Sequence, residues 1–170
     1  MPDPNLFRVN GTIYSSTSGS HSFNGLPYKG VKAATFEEDR ERKIVHAAQQ
    51  DGTPLGMTSG LYKVSNVSFT LLRDTAHALL TELTVLGLGS FGDASFTYML
   101  RLFEPIVPGE TPSVPTITTI SGCRISKVTE KIEVGTEELV TELSCQAMFI
   151  QRLVGGIPVQ LWSKIRALVP

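Results

Sequence analysis

The sequence predicts a single, mostly β domain with one α-helix, and three observations carry that prediction. Apolar and polar residues alternate over residues 61–72 and again over 139–150, the pattern of strands with one buried face. A helical period occurs once, where Ala76, Leu79, Leu80, Leu83 and Leu86 fall three or four apart. A chain of 170 residues and 18.5 kDa with 41% hydrophobic side chains closes one sizeable core rather than two.

Residues 1–24 are rich in Asn, Ser, Thr and Gly, with no sustained period, and read as an N-terminal arm with one short strand, ahead of a domain spanning 25–170. Residues 31–48 read as two extended segments around the charge run Glu37, Glu38, Asp39, Arg40, Glu41, Arg42 and Lys43. Its alternating signs suit a solvated strand face or loop. Residues 49–60 concentrate Gly, Pro, Asp, Thr and Ser and predict a long, shaped loop. In the strand over 61–72, Leu61, Val67, Phe69 and Leu71 share one parity, with Asn66, Ser68 and Thr70 on the other. The helix is placed at 74–86, with Asp74 capping its start and Gly87 and Gly89 ending it.

Beyond the helix, residues 95–103 return to extended character, and the proline-punctuated stretch 104–115 is a loop, because proline cannot donate to a central ladder. The strongest β signal lies in residues 117–134 and 139–153, which flank a turn at Gly135, Thr136, Glu137 and Glu138. In the second run Leu139, Thr141, Leu143, Cys145, Ala147 and Phe149 alternate with Val140, Glu142, Ser144, Gln146, Met148 and Ile150. A turn at Gly155 and Gly156 leads into a short apolar piece, 157–162, and no internal repeat of fixed period is present. Both C-terminal runs exceed the ~5–6 residues usual for a strand. Long strands of mixed polarity suit a sheet that continues beyond its own chain, since unpaired edges invite pairing.

Charge and targeting signals narrow the functional classes. A net charge of −1 and pI near 6.3 provide no overall attraction to nucleic acid or anionic membrane. The N-terminus shows no basic flank followed by an apolar stretch and no run is long enough to span a bilayer, so the expectation is a soluble chain without an export signal. On that reading the sequons at Asn10 and Asn66 stay unused. Cys123 and Cys145 lack CxxC or Cys/His spacing and read as small buried side chains in a reducing cytoplasm.

The catalytic and cofactor patterns are weak. Gly87, Gly89 and Gly92 spell GxGxxG, but they follow a helix and precede a strand, the reverse of the phosphate-cradling order. There is no P-loop. His21, His46 and His77 are dispersed without ligand spacing. A Ser/His/Asp triad has no nucleophile elbow to build on. The carboxylates at Glu37, Glu38 and Asp39 and at Glu137 and Glu138 sit in charge runs or turns and read as solvated. Neither an enzyme nor a bound cofactor or metal is expected.

The order of motifs resembles the tail tube proteins of tailed phages and phage-derived particles. The resemblance rests on the Ser-rich stretch from Tyr14 to Phe23 before a strand, and on the loop Gly52, Thr53, Pro54, Leu55, Gly56, Met57, Thr58, Ser59, Gly60. It continues through the strand and Ala/Leu-faced helix that follow, and through Gly122 and Cys123 to Gly156. It departs from the family at Gly155–Gly156, where Asn often precedes Gly, and in the longer proline-rich insertion at 104–115.

The resemblance implies an antiparallel β-sandwich or half-barrel flanked by a helix. Neighbouring copies would complete an inner barrel in hexameric rings, stacked into a tube through which DNA passes during genome delivery. The implied partners are further copies of the chain, tape measure, tail terminator and baseplate or tip proteins, and a sheath where the tail contracts. The implied location is the virion tail, assembled in the bacterial host cytoplasm, with no membrane contact. Candidate inter-subunit residues are Tyr14, Phe23, Glu38, Arg40, Arg42, Pro54, Leu55 and Met57, and candidate lumen residues are Glu130, Glu142 and Gln146. The competing class is a monomeric β-sandwich presenting the 49–60 and 104–115 loops to a ligand.

Overall fold

The computed structural model describes residues 7–9, 12–14, 19–46, 54–58, 60–102, 115–131 and 139–159, with side chains outside that description at 7–14, 46, 54–56 and 131. In chain order the strands are β1 (Phe7–Val9), β2 (Thr12–Tyr14), β3 (Gly19–Phe23), β4 (Leu26–Tyr28), β5 (Val31–Glu41), β6 (Ile44–His46), β7 (Pro54–Met57) and β8 (Leu61–Leu72). The helix α1 (Arg73–Leu86) follows, then β9 (Phe96–Leu102), β10 (Thr116–Lys131), β11 (Val140–Gln146), β12 (Phe149–Val154) and β13 (Ile157–Val159). The fold is mainly antiparallel β with a single helix among the described residues, as the sequence predicts.

One open sheet runs β4-β3-β9-β10-β11-β8-β5, with β12 pairing to β10 and β13, while β1 pairs β2 and β6 pairs β7. β10 is the spine. It pairs with β9 along one side and, along the other, first with β12 and then with β11. Two bulges, between Ile120 and Cys123 and between Ile125 and Lys127, re-aim its side chains. The core face therefore takes Thr118 and Ile120, then Cys123 and Ile125, then Val128, changing parity at each bulge.

The first bulge has a partner across the ladder. Gly122 adopts φ 69°, and a Cβ there would lie 2.6 Å from Met148 Cγ. This left-handed position, crowded by a crossing side chain, favours glycine. Here the predicted strand over 139–153 divides into β11 and β12, with the Met148 N–H donating to the Ser121 carbonyl at 3.0 Å. The parity shifts with it: Thr141, Leu143 and Cys145 are buried, but Ile150 rather than Phe149 continues the core.

A third bulge corrects the reading of β8. Asn66, at φ 51°, and Val67 together oppose Phe36, so Val67, Phe69 and Leu71 are buried while Leu61 is 76% exposed. Asn tolerates the left-handed region better than most side chains. The helix begins directly after β8 with Leu72 at the N-cap and no side-chain cap bond. Asp74 lies in its first turn, where a carboxylate suits the helix dipole, rather than at the cap. Ala76, Leu79 and Leu83 bury against the sheet, and Gly87 ends the helix by donating to the Leu83 carbonyl at 2.8 Å.

The core centres on aromatic rings. Phe23 lies 5.1 Å from Tyr98 and 5.4 Å from Phe69 and Tyr28, and Phe69 lies 4.7 Å from Tyr98, in tilted or edge-on geometry. Residues 19–23, expected in the arm, are strand β3 of the main sheet. Asn24 and Gly25, both at positive φ, turn β3 into β4.

Candidate functional site

The face of the sheet opposite the core is polar. Its cross-strand rows are Thr70, Glu142 and Thr129; Ser68, Ser144 and Lys127; and Gln146 with Arg124. Towards β9 the same face continues through Thr119, Met99 and Ser22 and through Ile117, Arg101 and Ser20. Arg124, Lys127 and Gln146 are exposed, and Glu142 is half-buried.

Glu130, expected beside Glu142 and Gln146, lies on the other face. It pairs with buried Thr141, and its Oε1 sits 3.1 Å from His77 Nε2 on α1. The bulge at Ser126, whose hydroxyl donates to the Ser144 carbonyl at 3.1 Å, is the reason. It returns Lys127 and Thr129 to the polar face and turns Val128 and Glu130 to the core face.

The sheet ends in two edges. Among the described residues β5 pairs only with β8 and β4 only with β3, leaving an 11-residue edge and a 3-residue edge. Unpaired edges of this kind are templates for another strand.

From the β5 edge the hairpin continues into β6 and β7, so Pro54–Met57, expected as loop, is strand. The Thr58 N–H donates to the Lys43 carbonyl at 2.8 Å, and the Lys43 N–H donates to Thr58 Oγ1 at 2.9 Å. Ile44, Val45 and Met57 project from this arm, Met57 at 66% exposure. Arg42 is exposed between β5 and β6, and Arg40 is half-buried opposite Tyr62. The side chains of Pro54, Leu55 and Tyr14 fall outside the described residues, although their backbones lie in β7 and β2.

Two expected inter-subunit residues are internal. Phe23 is 0% exposed at the centre of the core. The Glu38 side chain is 5% exposed and forms an ion pair with Arg152 on β12, whose guanidinium also lies 5.8 Å from the Phe36 ring centroid. Tyr62 donates to Glu38 at 3.2 Å and accepts the Ile150 N–H at 3.0 Å. Burial raises the Tyr62 hydroxyl to about 12, so it stays a donor at neutral pH. This clamp fastens the base of the hairpin to β12.

Little here supports covalent or metal chemistry. Burial lifts both thiols, Cys123 and Cys145, to about 12, keeping them protonated and unreactive. No group of three or more His, Cys, Asp or Glu able to hold a metal occurs among the described residues, and no described helix is long and apolar enough to cross a membrane. Gly87, Gly89 and Gly92 form the loop between α1 and β9.

The sequence matches no protein-family model and no curated protein. The fold matches solved structures. A chain of the anti-feeding prophage cap, the AFP tube terminating cap, aligns with TM-score 0.60 at 10% identity, over 91% of this chain and 99% of that one. A chain of the PVC sheath-tube complex of an extracellular contractile injection system, in its extended state, gives 0.56 at 9% identity, over 83% and 91%. A chain of the 6-fold symmetrised anti-feeding prophage baseplate gives 0.54 at 13% identity, over 82% and 93%. In fold, this chain is similar to chains of the anti-feeding prophage cap and baseplate and of the PVC sheath-tube complex.

Proposed function

We propose that this chain is a structural virion protein, the subunit of hexameric rings that stack into a tail tube and conduct the genome during delivery. One observation carries the reading: a sheet with an apolar face under the helix, a hydroxyl-rich polar face, and two edges left unpaired among the described residues. Joining the β5 edge of one copy to the β4 edge of the next, repeated around a ring, removes both edges and closes the polar faces into one continuous inner wall. Glu142 and Gln146 then face the channel, while Glu130 and α1 lie in the outer layer. The hairpin of β6 and β7, with Met57, Pro54 and Leu55, reaches a neighbouring copy, as does the arm carrying Tyr14.

The likeness to cap, baseplate and sheath-tube chains supports partners of those kinds at the tube's ends and outer wall. Tape measure and tip proteins are further proposed partners, with DNA passing through without specific binding. The particle is a phage or phage-derived tail, assembled in the bacterial host cytoplasm.

The test is negative-stain microscopy and sizing chromatography of the purified full-length chain, with and without native tail fragments as seeds. Rings or tubes are the expected result. A strictly monomeric species at high concentration, even when seeded, overturns the proposal.

A further inference from the structure

Most of the large apolar side chains left exposed among the described residues gather in three places. Ile44, Val45, Met57 and Leu61 surround the β6–β7 hairpin, Val85, Leu86, Leu88 and Phe91 lie where α1 ends, and Phe149, Val154, Ile157 and Val159 lie on β12 and β13. The second group holds the least expected residue. Leu88 is 98% exposed and adopts φ 54° between Gly87 and Gly89, a left-handed conformation that suits glycine and strains a bulky side chain. Neither the local backbone nor the core accounts for a leucine there.

The first group borders a groove. Glu41, Lys43, Thr58, Gly60 and Leu61 line about 440 Å³ at the base of the hairpin. Among the described residues 41–45 and 57–61, one carboxylate, Glu41, stands against two cations, Arg42 and Lys43, a sum of +1. Segment 84–95 carries Asp93 alone, −1, and the last turn of α1 holds no basic residue, so its carbonyl end adds to the negative side. Arg42, Lys43 and Asp93 are exposed and form no ion pair among the described residues.

Turn and groove share a layer but not a height. The Glu38–Arg152 pair joins the core faces of β5 and β12, so the base of the hairpin folds to the side of the sheet that carries α1. A Cβ on Gly92 would lie 3.9 Å from the Ile125 carbonyl oxygen, and the register aligns Ile125 with Cys145 and Val67. Leu61 is six residues further along β8, about 20 Å at the usual rise, and the hairpin projects beyond it. Copies joined side by side through their sheet edges keep that separation. Displacement along the strands, which is stacking, closes it. The β12–β13 group lies at the same end as the hairpin, since Val154 pairs with Thr116 at the start of β10, and the same displacement does not bring it to the groove.

We infer that the α1–β9 turn of one copy docks in the groove at the base of the β6–β7 hairpin of a copy in the adjacent ring, with Leu88 as the inserted side chain. This inference rests on the assembly reading above and adds the residues that join ring to ring. The occupant is a second copy because a protruding apolar side chain and a groove of opposite charge sit at different heights of one chain. Size agrees: each group exposes roughly 400–500 Å², large enough to mark a functional patch but about half of what each partner buries in a lone stable pair. A contact that small holds when it is repeated around a ring, as a head-to-tail contact between identical copies is.

The experiment uses the full-length chain carrying Leu88→Gly or Leu61→Ser. Glycine accepts the Leu88 backbone and Leu61 is exposed, so both variants stay folded by circular dichroism. In negative stain, single rings remain as abundant as in the wild type. The concentration at which rings stack into tubes rises at least about tenfold, the effect of returning one buried leucine to water. Independently, tubes of the L61C/L88C variant treated with oxidised glutathione yield a ladder of covalent multimers, whereas either single-cysteine variant stops at dimers. Cys123 and Cys145, buried and protonated, stay out of the reaction.

Tubes of L88G forming at the wild-type concentration overturn the inference, as does L61C/L88C without a ladder. Loss of rings together with tubes in a folded L88G variant also overturns it, by placing the turn inside the ring, as do wild-type rings that never stack. L88G tubes that form normally but no longer join native tail fragments would assign the turn to an outer-wall or end partner instead. A wild type that forms neither rings nor tubes, seeded or not, removes the tube reading beneath it.

Discussion

The two faces of the central sheet are carried by the same strands, yet one is nearly all apolar and sealed while the other is polar and open. Phe69, Leu71 and Leu143 are 0% exposed, whereas Ser68, Thr70, Glu142 and Ser144, one residue along, face the opposite side. Strict alternation alone would produce that contrast over a short strand. Over the 16 residues of β10 it survives only because bulges reset the parity where the strand coils. Sidedness in a long strand is thus a property of its irregularities as much as of its pattern.

The contrast can be broken by mutation, most severely on the core face. Phe69→Ala opens a cavity among Phe23, Phe96 and Tyr98 and costs about 3–5 kcal/mol in denaturant unfolding. Thr70→Ala, on the polar face, stays within about 0.5 kcal/mol. Equal costs at the two positions would dissolve the distinction. Next in size is the clamp. Glu38→Ala leaves Arg152 without its carboxylate and costs about 1–3 kcal/mol, less than a fully buried pair because Arg152 reaches solvent at 35% exposure.

Gly122→Ala tests the parity shift itself, at about 1–2 kcal/mol from the left-handed backbone. Met148→Ala in the same chain relieves the crowding but not the φ penalty, so it restores only part of the loss.

The smallest expected effect is on pH dependence. Burial lowers the His21 pKa, and its Nδ1 lies 2.7 Å from the hydroxyl of buried Tyr98. The folded state favours neutral imidazole, so stability is full above the ordinary value of 6.5 and declines as pH falls below it. For Cys123 and Cys145 the sign reverses: thiols raised from 9.0 to about 12 contribute stability below pH 9 that is lost as pH rises towards 12. Thermal melts of the wild type and His21→Gln across pH 5–8 check the acid limb, which flattens in the variant.

Much of the fold is legible in the sequence wherever a period runs uninterrupted. The helix, the buried half of β8 and the long β10 follow from spacing, because burial on one face demands it. What the spacing hides is each place where one extra residue changes the face. Leu61 and Phe149 lie beyond such points and are exposed rather than buried. Glu130 lies beyond another, which separates it from Glu142.

Phe23 shows a different failure. Its polar surroundings suggest an arm, but Asn24–Gly25 is a strong hairpin signal that places it beside a turn, in a strand.

The most direct test is a reconstruction by electron cryo-microscopy of tubes assembled from the full-length chain. It should place Glu142 and Gln146 on the channel wall, Glu130 and α1 in the outer layer, and the β5 edge against the next copy. Glu142 on the outer surface, or a polar face buried between rings, would contradict the proposed closure.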